Sequence, residues 1–280
     1  MLGSEIQQTT YMAAIAIANL ASTPGFENQI VESGVLLELQ QIRQHHSSTV
    51  PEFARLLLNL SCADDSLGSS LYEIADAVFM LANSEGPVVR RLCMRALCRL
   101  AMVPSSRALL SSIGAAKLVG DMLRYDDSPE SLAVYGAVLY ALSSDKKSRG
   151  KLMETGAIDL ALHIADKNLR RENSNDESIS FAAATLANMA LHPPCLEILF
   201  ESGAIDAIVR WSRLSDEEIR ACCANTLQRM VADEASVERA AKEGALNALV
   251  DLSKSDQSSE RVKRSCGRAI AVLLSRCRTS

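Results

Sequence analysis

Metal or nucleophilic chemistry in this chain would have to be built from four histidines and eight cysteines. The histidines are His45, His46, His163 and His192, and the cysteines are Cys62, Cys93, Cys98, Cys195, Cys222, Cys223, Cys266 and Cys277. No two cysteines stand as C-x-x-C, and no cysteine–histidine set has zinc-ligand spacing. Most cysteines sit in apolar runs, which reads as buried, reduced thiols in a reducing compartment, with a metal site as the alternative. His45-His46 ends a helical segment, where positive charge suits the helix dipole. Cys222-Cys223 reads as a pair of packing residues. There is no G-x-S-x-G elbow, Walker loop, H-E-x-x-H or Rossmann fingerprint, and Gly68-Ser69-Ser70 lacks the lysine and strand of a phosphate loop. No cofactor, catalytic residue or metal is expected, and the chain reads as a non-enzyme.

The remaining chemistry is charge. Arg91, Arg95 and Arg99 recur every four residues, which places them along one side of a helix. The whole chain carries a formal charge of −5, which argues against wholesale nucleic-acid binding. No apolar run reaches the ~18 residues of a membrane span, and no signal peptide is expected.

The elements that position these residues follow from composition and repetition. Only 13 glycines and 7 prolines occur in 280 residues, which favours long helices over many short strands. The segment Glu32-Ser33-Gly34-Val35 returns as Glu154-Thr155-Gly156-Ala157-Ile158, Glu201-Ser202-Gly203-Ala204-Ile205 and Glu243-Gly244-Ala245-Leu246, with a weaker copy at Ile113-Gly114-Ala115. These glycines lie 80, 42, 47 and 41 residues apart, so the first gap is two periods of 40. The copy without glycine falls at Tyr72-Glu73-Ile74-Ala75. An apolar helix follows each turn, centred on Asn59, Arg99, Tyr140, Asn188, Gln228 and Ala271, and one more opens the chain at Asn19. Pro24, Pro104 and Pro193 fall just after such helices, where a helix must stop. Each unit reads as a short helix, a glycine turn at positive φ, a second helix (35–43 in the first unit) and a longer third helix (52–62). No unit of this size buries its own apolar face, so units must stack.

The period, the E-S-G-A-I turn and the L-x-N-L third helix resemble the armadillo repeat, as in β-catenin and importin-α. HEAT repeats, with two helices and usually no glycine turn, are the structural competitor. The resemblance implies an all-α, right-handed α-α superhelix over 1–280. Residues 1–22 would be the third helix of a partial repeat, followed by six repeats at 23–63, 64–102, 103–143, 144–191, 192–232 and 233–280. It also implies that the third helices line a concave groove in which landmark amides hold a ligand backbone. That role passes to Asn19, Asn59 and Asn188, with Gln228 as a substitute, while Arg99, Tyr140 and Ala271 break the ladder. Importin-α-like arrays carry a tryptophan four residues before the landmark. Here those positions hold Ile15, Arg55, Arg95, Gly136, Ala184, Ala224 and Gly267, and the lone Trp211 belongs to a second helix.

The landmark and the residues four and eight before it make 21 groove positions. They include Arg55, Arg91, Arg95, Arg99, Arg220 and Lys263 and no acid, where composition predicts about two basic and two or three acidic residues. The strip is expected to hold an acidic or phosphorylated segment of a protein or peptide, as basic grooves of the β-catenin type do. The rival functions are an importin-α-like transport adaptor, a structural element of a ciliary, cytoskeletal or membrane-tethered complex that uses its stacking faces, and the helical part of a larger enzyme. The apolar opening helix is expected to meet further repeats, a partner or another copy. The site of action is expected to be cytoplasmic, nuclear or ciliary. One stretch, 167–178, makes the fourth full unit longer and reads as a solvated loop between second and third helices.

Overall fold

A computed structural model describes residues 2–23, 25–38, 49–62, 70–83, 86–171, 176–232 and 234–277. Among these residues the regular structure is helical, with no strand. Two compact units divide the chain, 1–141 and 142–280.

The first unit contains α1 (Leu2–Leu20), α2 (Glu27–Glu32), α3 (Val50–Leu60), α4 (Ser70–Ala82), α5 (Pro87–Met102), α6 (Arg107–Ser112), α7 (Ala115–Met122) and most of α8 (Pro129–Ser144). Helices α1, α3 and α5 stack side by side in chain order, and α4 backs α5. Residues 35–38 begin the second helix expected after Gly34, and its remainder lies outside the described residues, as do His45, His46 and 63–69. In α3 the apolar period decides the orientation. Phe53, Ala54, Leu56, Leu57 and Leu60 are buried, while Arg55 is exposed. Each buried leucine here contributes about 2 kcal/mol. Pro51 sits in the first turn of this helix, where its missing N–H would have had no intrahelical acceptor.

The second unit contains α9 (Arg149–Glu154), α10 (Ala157–Leu169), α11 (Asp176–Met189), α12 (Cys195–Glu201), α13 (Ala204–Trp211), α14 (Glu217–Met230), α15 (Glu234–Lys242), α16 (Ala245–Lys254) and α17 (Glu260–Cys277). Helices α11, α14 and α17 stack in order, backed by α10, α13 and α16 respectively. Trp211 lies at the end of a second helix, as expected, and is 1% exposed.

The five repeat glycines all take the left-handed conformation, with φ of +74° at Gly34, +96° at Gly114, +72° at Gly156, +73° at Gly203 and +91° at Gly244. Each closes the short first helix by donating its N–H to the carbonyl three residues back, as Gly156 does to Met153 at 3.1 Å. Its own carbonyl then starts the second helix, accepting from Leu160 at 3.0 Å. A Cβ on Gly203 would meet nothing within 4 Å, so only the backbone resists substitution. Gly203→Ala is therefore expected to lower stability by about 1 kcal/mol, read from a urea melt with unchanged slope.

The stretch 167–178 differs from the expected loop. Helix α10 continues through Lys167 and Asn168 to Leu169, giving 13 residues against 8 in α7 and α13. The cause is periodic: Ala161, Ile164, Ala165 and Asn168 fall on one buried face, so another turn gains burial. Helix α11 then begins at Asp176, with Asp176 and Glu177 in the first turn, where acids suit the dipole. Only 172–175 lie outside the described residues of this stretch.

Candidate functional site

A charged solvent-facing strip is built by α5. Its inner face buries Val89, Cys93, Met94, Ala96, Leu97, Leu100 and Ala101. The same period turns Val88, Arg91, Arg95, Arg99 and Met102 outward, and all five are exposed. On neighbouring α3, Arg55 is exposed as well. These four arginines are exposed on the sides of α3 and α5 opposite the buried residues.

Their charges are engaged to different degrees. Arg55 pairs with Glu52 of its own helix at 2.8 Å. Arg91 Nε lies 3.6 Å from Asp126 Oδ2. Arg99 donates to the Leu58 carbonyl at 3.1 Å and also contacts Cys62 Sγ. Arg95 has no hydrogen bond or ion pair among the described residues. Burial pushes the Asp126 carboxyl up, but the Ser128 N–H at 3.0 Å, the Ser131 hydroxyl at 2.8 Å and the Arg91 charge outweigh it and hold the group below the usual carboxylate range. Asp126 is thus occupied by three donors. The arginine side chains of the two pairs remain 47% and 58% exposed. Such pairs contribute only about 0–1 kcal/mol, so an incoming anion competes with them at little cost.

The landmark residues play a part that the resemblance did not imply. Asn59 Nδ2 donates to the Ala18 carbonyl at 2.7 Å, 41 residues back, and Arg99 donates to the Leu58 carbonyl, also 41 back. Each therefore reaches the residue just before the previous landmark, near the C-terminal end of the previous third helix. Carbonyls there lack an intrahelical backbone donor, and the landmark side chain supplies one, shared at Leu58 with the Ser61 hydroxyl at 2.7 Å. A cation at that position also suits the negative end of the helix. Asn188 Nδ2 similarly donates to Ser143 Oγ at 3.1 Å. The amides of Asn59 and Asn188 tie repeats together, which leaves them one N–H and a carbonyl each for a ligand. Asn19 is exposed at the free side of α1, and Gln228 is half-buried on α14.

In the second unit the expected basic strip does not form. Arg220 is 4% exposed, and its guanidinium donates to the Leu214 carbonyl at 3.3 Å, to Gln257 Oε1 at 2.9 Å and to the Gln257 carbonyl. It also lies 3.4 Å from Glu217. The stretch between α16 and α17 folds over this arginine, so it serves as a clamp, not as a surface charge. Lys263 is half-buried, 4.0 Å from Glu260. The corresponding positions Ser180, Ala184, Asn188, Ala224, Gln228, Gly267 and Ala271 carry no charge.

Two arginines missed from the sequence hold helix ends. Arg107 donates to the carbonyls of Ala101 and Met102 at 3.0 Å each, and Arg149 donates to that of Ser143 at 2.9 Å. Both stand seven residues before a turn glycine, Gly114 and Gly156, and that shared phase was the available signal.

Among the described residues no three histidine, cysteine or acidic side chains are placed to hold a metal. Cys62 is exposed, whereas Cys93, Cys195, Cys223 and Cys266 are buried. Burial pushes the Cys93 thiol up to about 12. Alkylation of the native protein followed by peptide mapping is expected to label Cys62 and to leave these four untouched until the chain unfolds.

No protein-family model matches the chain, and no curated protein matches it in sequence. Solved structures do. An engineered protein superposes on 94% of this chain with TM-score 0.73 and 22% identity; the chain spans 64% of that protein's length. A computationally designed armadillo repeat protein for modular peptide recognition gives TM-score 0.72 and 20% identity over 85% of this chain and 98% of its own. A designed armadillo repeat protein in complex with the peptide (KR)4 gives TM-score 0.69 and 19% identity, again over 85% and 98%. Identities at this level speak to fold alone. Together with the stacked third helices and the left-handed glycine turn between first and second helices, which HEAT repeats usually lack, they assign the architecture: this chain has the armadillo repeat fold.

Proposed function

We propose that this protein is a non-enzymatic scaffold that holds an extended acidic or phosphorylated segment of a partner against the basic face of its first unit. The observation that carries the reading is the stripe of Arg91, Arg95 and Arg99 on α5, exposed along one helix face with Arg95 unpaired among the described residues. Carboxylates or phosphates spaced along an extended chain suit planar guanidinium groups that take two acceptor oxygens each. Val88 and Met102 flank the stripe and offer apolar contact at either end. The solved armadillo designs include one made for modular peptide recognition, and peptide capture is the use proposed here, with the charge preference set by this chain's own arginines. Work in a reducing compartment such as the cytoplasm fits the buried free thiols.

A second reading rests on α1. Met12 and Leu20 are 58% and 43% exposed on a helix whose other side packs on α3, so this end face is suited to contact another protein or another copy of the chain. The test is titration of a fluorescent acidic peptide and of its basic counterpart into the protein across a salt series. The proposal expects the acidic peptide to bind and to weaken as salt rises. Tighter binding of the basic peptide would overturn it.

A further inference from the structure

We propose that copies of this chain associate head to tail, with α1 of one copy packing on α17 of the next as consecutive third helices pack within the chain. The proposal rests on the second reading above, that the free side of α1 is a contact face, and does not involve the arginine stripe.

The contact that the stack repeats shows what each side needs. Ala13, Ala16 and Leu20 stand 40 residues before Phe53, Leu56 and Leu60 of α3, and 80 before Cys93, Ala96 and Leu100 of α5. Those six are buried, whereas Ala13, Ala16 and Leu20 are exposed. The other side of α1 is covered: Ala14, Ala18 and Ala21 are buried, and α3 is the third helix packed on it. Helix α1 therefore leaves open a flank that α3 and α5 bury. The landmark agrees. Asn59 and Arg99 donate to the preceding third helix, while the Asn19 side chain has no hydrogen bond among the described residues.

Helix α17 leaves open the opposite flank. Its inner row, Val262, Cys266, Ala269 and Leu273, is buried and repeats Ile219, Cys223, Thr226 and Met230 of α14 at a spacing of 43. In the same register Gly267 and Leu274 follow Ala224 and Val231. The earlier two are buried, but Gly267 and Leu274 are exposed, with Ala271 exposed between them.

A flank that an array leaves to water is normally polar. These two are rows of small apolar residues with one leucine each, and each is one half of the contact between consecutive third helices. A pair of α1 flanks would instead set like against like. Because the two faces differ, the association is heterologous, and a bound copy still presents a free face to the next.

Sedimentation velocity on the full chain from about 1 µM to about 1 mM covers contacts of this weak class. The mean mass is expected to climb past that of a dimer. Ala16→Arg and Leu274→Arg each put a charge on one of the faces, at an exposed position, and each variant alone is expected to stay monomeric. Mixed, the two retain one intact face of each kind and are expected to form a one-to-one dimer and nothing larger. Leu20→Arg and Ala271→Arg repeat the test on the same faces, and circular dichroism checks that every variant keeps the parent's helical signal. Arg95→Glu is expected to assemble like the parent. A parent that stays monomeric throughout, or a folded pair of variants that does not dimerise, would overturn the proposal. Dimers of Leu274→Arg alone would overturn head-to-tail pairing while keeping α1 as a contact face, and assembly unaltered by Ala16→Arg would overturn both.

Discussion

Replacing Arg91, Arg95 and Arg99 together by glutamate is expected to weaken binding of an acidic peptide by about 100-fold at low salt. Each reversal removes one attraction and adds one repulsion. At roughly 0.5 kcal/mol per exposed contact, six changes sum to about 3 kcal/mol, or two decades in Kd. The effect should shrink as the Debye length falls from about 30 Å at 0.01 M salt to about 8 Å at 0.15 M. Single variants carry the sharper information. Arg95→Glu should cost more than Arg55→Glu, because Arg55 is already paired with Glu52 whereas Arg95 has no partner among the described residues. Arg99→Glu also breaks the tie to the Leu58 carbonyl, so its binding must be read well below its own melting temperature. Fluorescence anisotropy with a labelled peptide measures all of these. If the triple variant binds like the parent while Met12→Asp abolishes binding, the partner sits on the end face of α1 and not on the stripe.

The fold was legible because it repeats. Five glycines at a spacing near 40, each followed by an apolar helix, predict left-handed turns at 34, 114, 156, 203 and 244, and all five adopt positive φ. A conformation that only glycine takes cheaply leaves a mark in sequence that few other residues imitate. The exposed arginines of α5 were legible for a related reason: a four-residue spacing on a helix with a buried opposite face leaves them one direction to point. Arg220 has the same spacing relative to Gln228, and it was misread. Whether an arginine is free or buried depends on what folds across it, here Gln257, which lies 37 residues away. Helix periodicity carries no information about that loop. The landmark asparagines were only half legible for the same reason. Their type announces a donor, but the acceptor lies on the preceding stacked helix, the Ala18 carbonyl for Asn59 and the Ser143 hydroxyl for Asn188, and only the register between helices decides that the neighbour takes one N–H of each. The stretch 167–178 shows the reverse case, in which a polar composition concealed a buried helical face ending at Asn168.

The buried arginine supports the second large prediction. Arg220→Ala is expected to destabilise the second unit by about 3 kcal/mol, measured by urea unfolding. Truncation removes the donor to the Leu214 carbonyl and both contacts to Gln257, and it leaves a hole beneath the stretch between α16 and α17. Glu217 would keep the Ser259 N–H at 3.2 Å, so its carboxylate is not stranded, and the loss falls mainly on the carbonyls. Arg220→Met should recover part of the deficit, since it restores the packed stem without the hydrogen bonds. Arg95→Ala, at an exposed position, should stay within about 0.5 kcal/mol of the parent. The two arginines therefore predict opposite profiles: Arg95 changes acidic-peptide affinity and spares stability, and Arg220 changes stability and spares affinity. An Arg220→Ala protein that melts like the parent would mean that the guanidinium is not the clamp described here. An unaltered melt with weakened peptide binding would return Arg220 to the surface and extend the basic face into the second unit.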